Sequence, residues 1–382
     1  TLAEALAAAQ AGDTVKLLTS VTISQLIKIE KAITLDLNGK TITGTASRLF
    51  RITESVEVTF KNGTIKNTAN AGRCIETRTG DVTLNLNDVT LEANNGAAQP
   101  LTIGGSENGT KVTLTNVTIS AKAGYCIITF VKTDLTATGC TISGYNALYV
   151  KPGSENSVFN FNDCDLTGST TSNDVEGNSF STIAVRADDV TVNVDADSTV
   201  SATGNYCWAI SLESKYTDEN GITGANITVA GAINGKVLTS ADVSKNTISV
   251  KAEDADKLRA AGYGAVIANG MATAVVPVAK IGNTGYATLA EAVAAAEDGD
   301  TVTLLGELMK TRYENAGVGG NIGIPLCEQA VQAGEGSCVV AEISSYQMEA
   351  TTNFRPHVAV VLNVTPDHVV RHGSLEVYQQ MK

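Results

Sequence analysis

The chain has 382 residues, with 27 Lys and Arg against 40 Asp and Glu, for a formal charge of −13. That balance gives no electrostatic footprint for nucleic acid or an anionic membrane, and no apolar run is long enough to span a bilayer. Aromatic residues make up only 5%, while Thr, Asn, Gly, Ala and Val are abundant, which suits stacked strands with tight turns better than helices packed by Leu.

The length allows a large core and two or three domains. The chain opens on Thr1 and closes on a helical pattern at Lys382. Both ends read as truncations, so the lack of a targeting signal says nothing about location. The seven cysteines, Cys74, Cys126, Cys140, Cys164, Cys207, Cys327 and Cys338, form no CxxC pair and no Cys/His cluster. They read as small buried hydrophobes rather than a zinc site.

In chain order, Thr1–Ala11 is Ala-rich with Leu2 and Leu6 one turn apart. It predicts a short amphipathic helix that caps the open end of a stack of strands. Gly12-Asp13 ends it and Thr14–Leu18 starts a strand.

A repeat then sets in: ITLDLNGKTIT from Ile33, VEVTFKNGTIK from Val56, VTLNLNDVTLE from Val82, VTLTNVTIS from Val112, LTATGCTIS from Leu135 and VFNFNDCDLTG from Val158. Each is an alternating strand, a turn at Asn-Gly or an equivalent, and a second strand. The spacing of about 24 residues lies in the range of solenoids. A second series sits between them: LFRI from Leu49, CIET from Cys74, PLTI from Pro100, CIIT from Cys126, ALYV from Ala147, TIAV from Thr182 and CWAI from Cys207. Each period therefore holds about three strands, and coils stack roughly 4.8 Å apart with one strand face filling the interior. In this register Cys140 matches Cys164, as a pair of buried thiols or a disulfide, and Cys74, Cys126 and Cys207 share a second column.

This region, residues 1–278, resembles the right-handed parallel β-helix of the pectin-lyase-like superfamily, and more narrowly the β-helix repeats of bacterial surface proteins. The resemblance rests on repeat form. It implies an extracellular structural or adhesive module whose partners are surface glycans or host proteins. Tyr125, Tyr145 and Tyr206 precede the second strand series and read either as turn caps or as an aromatic column for sugar stacking. A polysaccharide lyase needs clustered Asp and an Arg base, and the nearest set is Asp188, Asp189, Asp195 and Asp197 with Arg186. These read more simply as solvated turn residues, which are common on a solenoid.

After Gly235 the pattern changes. Asp254–Ala261 is helical, and Tyr263–Val278 reads as two strands about Asn269-Gly270, a closing element. Residues 279–305 hold a linker, Ala279–Ala287, and the start of a second cap. Thr288–Leu305 matches Thr1–Leu18 at fourteen of eighteen positions, which marks an internal repeat. The coils of a second solenoid do not follow.

From Gly306 the vocabulary is α/β: a helix leading to GGNIG, another helix, a buried strand SCVVAEIS and a strand HVAVVLNVT, with polar residues at strand ends. The phrases GNIGIPL (Gly320–Leu326), EISSYQME (Glu342–Glu349) and LNVTPDHVVRHGS (Leu362–Ser374) resemble the central ATPase domain of the Mur ligases, in the D-glutamate-adding branch of peptidoglycan synthesis. Residues 306–382 thus read as a truncated α/β Mur-ligase fragment behind a mainly β chain.

The resemblance implies roles for matching positions. Asn321 lies on the nucleotide and substrate side, Glu342 is a magnesium ligand, His368 sits at the second metal position, and Lys382 matches a carbamylated lysine of that metal site. ATP and magnesium are implied by this resemblance alone. The family carries GTNGKTT before TVTLLGE as its phosphate loop; here the stretch is AAEDGDT, with Asp298 where the Lys belongs, and Val370 replaces a family Asp. Both vocabularies share Thr301–Glu307, so the chain reads as two unrelated coding pieces joined there, with no catalytic residue expected to function and a tail after Gly306 less stable than the solenoid.

Overall fold

In the computed structural model, residues 1–106, 108–170, 181–213, 221–239, 241–296, 309, 312–313, 315–320, 324–359 and 369–381 are described. The chain divides into two units, Thr1–Pro277 with Asn283–Thr288 and Val278–Gly282 with Leu289–Lys382.

The first unit is a parallel β-solenoid. Its first face stacks strands from Thr14–Lys16 through Ile33–Asp36, Thr110–Thr115 and Val158–Asn162 to Thr247–Lys251, each pairing in parallel with the next coil. A second face runs from Val21–Ile23 to Ala232–Asn234. A third runs from Ile27–Ile29 to Lys236–Thr239. Register offsets run from 20 residues (Thr14 to Thr34) to 35 (Thr191 to Asn226), so the coil length varies about the value read from the sequence. Longer coils carry the extra residues at corners, where the ladder is not interrupted.

Alternation decides which side chains enter the interior. Leu35, Phe60, Leu86, Leu114, Ala137, Phe161, Val194, Val229 and Val250 form one buried inward column, joined link by link by strand pairing. Phe60 packs edge-on against Phe50, ring centroids 5.4 Å apart, the geometry aromatic quadrupoles favour.

The corner between the first two faces explains the Asn-Gly signature. Asn62, Asp88, Asn116, Gly139 and Asp163 hold left-handed backbone in successive coils, with φ between 52° and 67°. Asn, Asp and Gly tolerate that region where other residues do not. The stacked side chains also bond between coils: Asn62 Nδ2 donates to Asp36 at 3.1 Å, and Asn116 Nδ2 to Asp88 at 3.1 Å.

The N-terminal cap is a helix over Leu2–Ala8. Thr1 Oγ1 accepts from the Glu4 amide while the N-terminal ammonium donates to Glu4, a capping box. Leu2 and Leu6 are buried, and Lys31 Nζ donates to the Ala7 and Ala9 carbonyls at 3.0 and 2.8 Å, satisfying the helix end. At the other end, Thr247–Lys251 pairs antiparallel with Met271–Val275, which forms a hairpin with Gly264–Ala268 about Asn269 and Gly270, both at positive φ. That hairpin and the helix Ala255–Ala260 close the last sheet edge.

In the second unit, the helix Leu289–Ala295 repeats the bounds of the first cap in its sequence copy. Its apolar side faces solvent, with Leu289 42% and Val293 60% exposed. The strand Ala316–Gly320 pairs in parallel with Cys338–Glu342, and the helix Leu326–Gln332 lies between them in sequence. The stretch before GGNIG, expected to be a helix, is therefore a strand where described. Cys338–Glu342 is half-buried rather than buried. Short helices follow at Ser345–Glu349, Val369–His372 and Leu375–Met381. No described helix is long and apolar enough to cross a membrane.

Candidate functional site

Glycine shapes the strand that faces Glu342. Cβ atoms added at Gly317, Gly319 and Gly320 would lie 2.1 Å from Gln329 Oε1, 2.3 Å from the Ile324 carbonyl and 2.2 Å from the Glu342 carbonyl. The helix Leu326–Gln332 and the neighbouring strand can approach this closely because AGVGG has almost no side chains there. Gly320 also sits at φ +118°.

Glu342 ends its strand directly opposite Gly320. One of its carboxylate oxygens is buried and has no hydrogen-bond partner among the described residues. An orphaned carboxylate oxygen at a strand end suits a hard cation, so Glu342 fits the role the resemblance implies. Asn321, His368 and Lys382 lie outside the described residues, as does Asp298. Among the described residues, no group of three or more His, Cys, Asp and Glu side chains forms a metal site.

A second polar cluster was missed in the sequence. Ser344 caps the helix Ser345–Glu349, its Oγ accepting from the Gln347 amide. His372 Nε2 lies 3.0 Å from Ser345 Oγ, and its Nδ1 lies 2.8 Å from Glu349 Oε1 without hydrogen-bond alignment. Arg371 donates to the other Glu349 oxygen at 3.0 Å. Tyr346 and Tyr378 flank the imidazole at 5.6 Å. The only sequence signal was the phrase RHGS downstream of a capped helix. An apolar cleft of about 270 Å³ lined by Leu326, Ile343, Gln347, Ala350, Thr351 and Phe354 completes the features of this unit among the described residues.

On the solenoid, Arg186 is buried and committed elsewhere. It donates to Glu213 through Nε at 2.8 Å and through a terminal nitrogen, and it lies over the Tyr149 ring. Asp195 accepts from the Asp163 amide and from Ser198 Oγ at 2.6 Å, and Asp188 accepts from the Thr223 amide at 2.9 Å. These carboxylates pin turns. The tyrosine column does not form: a bulge between Ala121 and Tyr125 sets Tyr125 against Asn146, and Tyr125 stacks instead on Tyr149, centroids 4.9 Å apart.

The thiols follow the register with one correction. Thr141 pairs with Asp165, so Cys140 and Cys164 are coil neighbours. All seven cysteines are free. Cys74 and Cys126 share a column with Pro100 between them, but Ala209 occupies that column, two residues past Cys207.

Comparison with known proteins divides the chain at the same region. Residues 281–382 match the family model of the Mur ligase middle domain. Over 82 residues, 22% of this chain, the sequence is 49% identical to UDP-N-acetylmuramoylalanine--D-glutamate ligase of Pelotomaculum thermopropionicum, 46% to that of Lachnoclostridium phytofermentans and 44% to that of Thermoanaerobacter pseudethanolicus. The chain spans only 18% of the length of these relatives. No solved structure matches.

Proposed function

We propose that this chain joins a bacterial cell-surface β-helix module of the pectin-lyase-like kind, with a structural or adhesive role, to part of a D-glutamate-adding Mur ligase that does not catalyse ligation. The observation that carries the second half is the acidic run Glu297-Asp298-Gly299-Asp300 in place of a phosphate loop. An anionic side chain at the lysine position repels the triphosphate that the loop must cradle.

The family chemistry supports the ancestry of the remaining residues. Glu342, with its unpartnered oxygen, would hold magnesium together with His368 and Lys382, and Asn321 would face the nucleotide. When bound, that ion neutralises charge on a transferring phosphoryl group. What Glu342 itself does is present a carboxylate at the end of a strand, held by pairing with Gly320.

The test is ADP release by the full chain with ATP, magnesium, UDP-N-acetylmuramoyl-L-alanine and D-glutamate. Release at background is expected. Substrate-dependent release above background would favour the second reading, an active amide ligase, which the 49% identity over 82 residues supports. For the solenoid, a lyase reading has little support, because Arg186 is bonded to Glu213.

A further inference from the structure

The third face of the solenoid carries a cationic patch that the chain's net charge conceals. Glu76 is almost fully buried, and three guanidinium groups converge on it: Arg51 Nε at 2.7 Å, Arg73 at 2.5 Å and Arg48 Nε at 3.2 Å. These residues come together through the register, since Arg48 pairs with Arg73 and Arg51 with Glu76 in the next coil. Lys28 precedes Arg51 in the same column, and Arg78 lies two residues past Glu76. Five cations thus face three carboxylates, Glu76 and the exposed Glu30 and Glu54, on a chain whose formal charge is −13.

The pairing does not exhaust the donors. Each guanidinium offers five N–H groups, and among the described residues the side chains of Arg48, Arg51 and Arg73 bond only to Glu76. Their exposure, 38%, 24% and 19%, leaves the remaining donors reachable from solvent, while Arg78 and Lys28 are exposed. Glu76 holds the arginines as fixed planar forks, which suits bidentate recognition of carboxylate or sulfate. The cations also repeat from coil to coil, about 4.8 Å per step. A ladder of this kind matches an extended polymer of anionic groups better than a single small anion.

We infer that this face, centred on Arg48, Arg51, Arg73 and Arg78, binds a polysaccharide bearing carboxylate or sulfate groups. The inference rests on the adhesive reading of the solenoid and names its ligand chemistry. Three probes share one backbone and differ in the group it carries, none, carboxylate or sulfate: dextran, carboxymethyl-dextran and dextran sulfate.

The full chain, immobilised at low salt, is expected to retain one or both charged polymers and not neutral dextran, with affinity falling as salt rises. Preference between the two charged polymers distinguishes carboxylate from sulfate. The Arg48→Gln/Arg78→Gln double variant spares the tightest Glu76 contacts and is expected to fold with an unchanged circular dichroism spectrum and bind at least tenfold more weakly. Undiminished binding by a folded double variant would overturn the assignment of this face while leaving an adhesive module. Retention of neutral dextran equal to that of the charged polymers would overturn the ligand chemistry. Binding to none of the three would overturn the inference and count against the adhesive reading as well.

Discussion

Leu6 and Val293 occupy the same position in two copies of one cap sequence, yet Leu6 is 8% exposed and Val293 60%. The helices share their bounds, Leu2–Ala8 and Leu289–Ala295. Local sequence therefore makes the helix, and what stacks against it decides whether its apolar side is used. The first copy covers a coil; among the described residues, the second has none of its own.

This difference sets opposite mutational costs. Leu6→Ala should destabilise the solenoid by about 2–3 kcal/mol, the range for a buried Leu at a site that can partly relax. Val293→Ala should change it by less than about 0.5 kcal/mol, as at an ordinary surface position. Urea midpoints of the two variants check this, and equal shifts would contradict it.

The arginine cluster predicts a pH dependence. Burial pushes the Glu76 carboxyl up, but the bond from Arg51 and the charges of Arg73, Arg51 and Arg48 outweigh it and hold the group below the usual carboxylate value. A depressed folded-state value means the contribution is present above the unfolded value of about 4.3 and is lost as pH falls through the folded value. Glu76→Gln should cost about 1–3 kcal/mol at pH 7, discounted because the arginines are partly exposed. The gap between wild type and variant in urea titrations should narrow from pH 7 to pH 3. A gap that widens on acidification would show the sign to be wrong.

Thiol reactivity should separate the two units. Cys327 is exposed and Cys338 half-buried, while the five solenoid cysteines are buried. Burial pushes the Cys74 thiol up to about 12 and the Cys126 thiol higher still, which suppresses the reactive thiolate. In the Cys140–Cys164 pair, the bond to Cys140 and burial push the Cys164 thiol up. Timed alkylation read by peptide mass spectrometry should label Cys327 first, then Cys338, and the others only in denaturant. Native labelling of Cys74 as fast as Cys327 would contradict the buried ladder.

Much of the solenoid was legible because its period is enforced by packing: a strand that slips by one residue exposes its whole inward face. The Cys140–Cys164 match followed from that rule, and the Asn269-Gly270 hairpin from its turn residues. Insertions at corners were not legible. The corner after Ser201 is longer than the one after Ser120, so Cys207 falls two residues short of the Cys126 column, and the bulge before Tyr125 broke the tyrosine column. In the second unit, AGVGG lacks any alternation, so its strand is visible only through the close approach of Gln329, Ile324 and Glu342. His372 was hidden because its partners, Ser345 and Glu349, lie more than twenty residues upstream.

The most direct test of the join is made on the gene. Single DNA molecules from the source, read across the codons for Ala287–Gly320, should fall into two families: one continuing the solenoid past Leu305, the other carrying a GKTT loop before TVTLLGE. Reads that cross Thr301–Glu307 intact, with solenoid codons on one side and ligase codons on the other, would make the fusion real and contradict the reading of the two units as two separate genes.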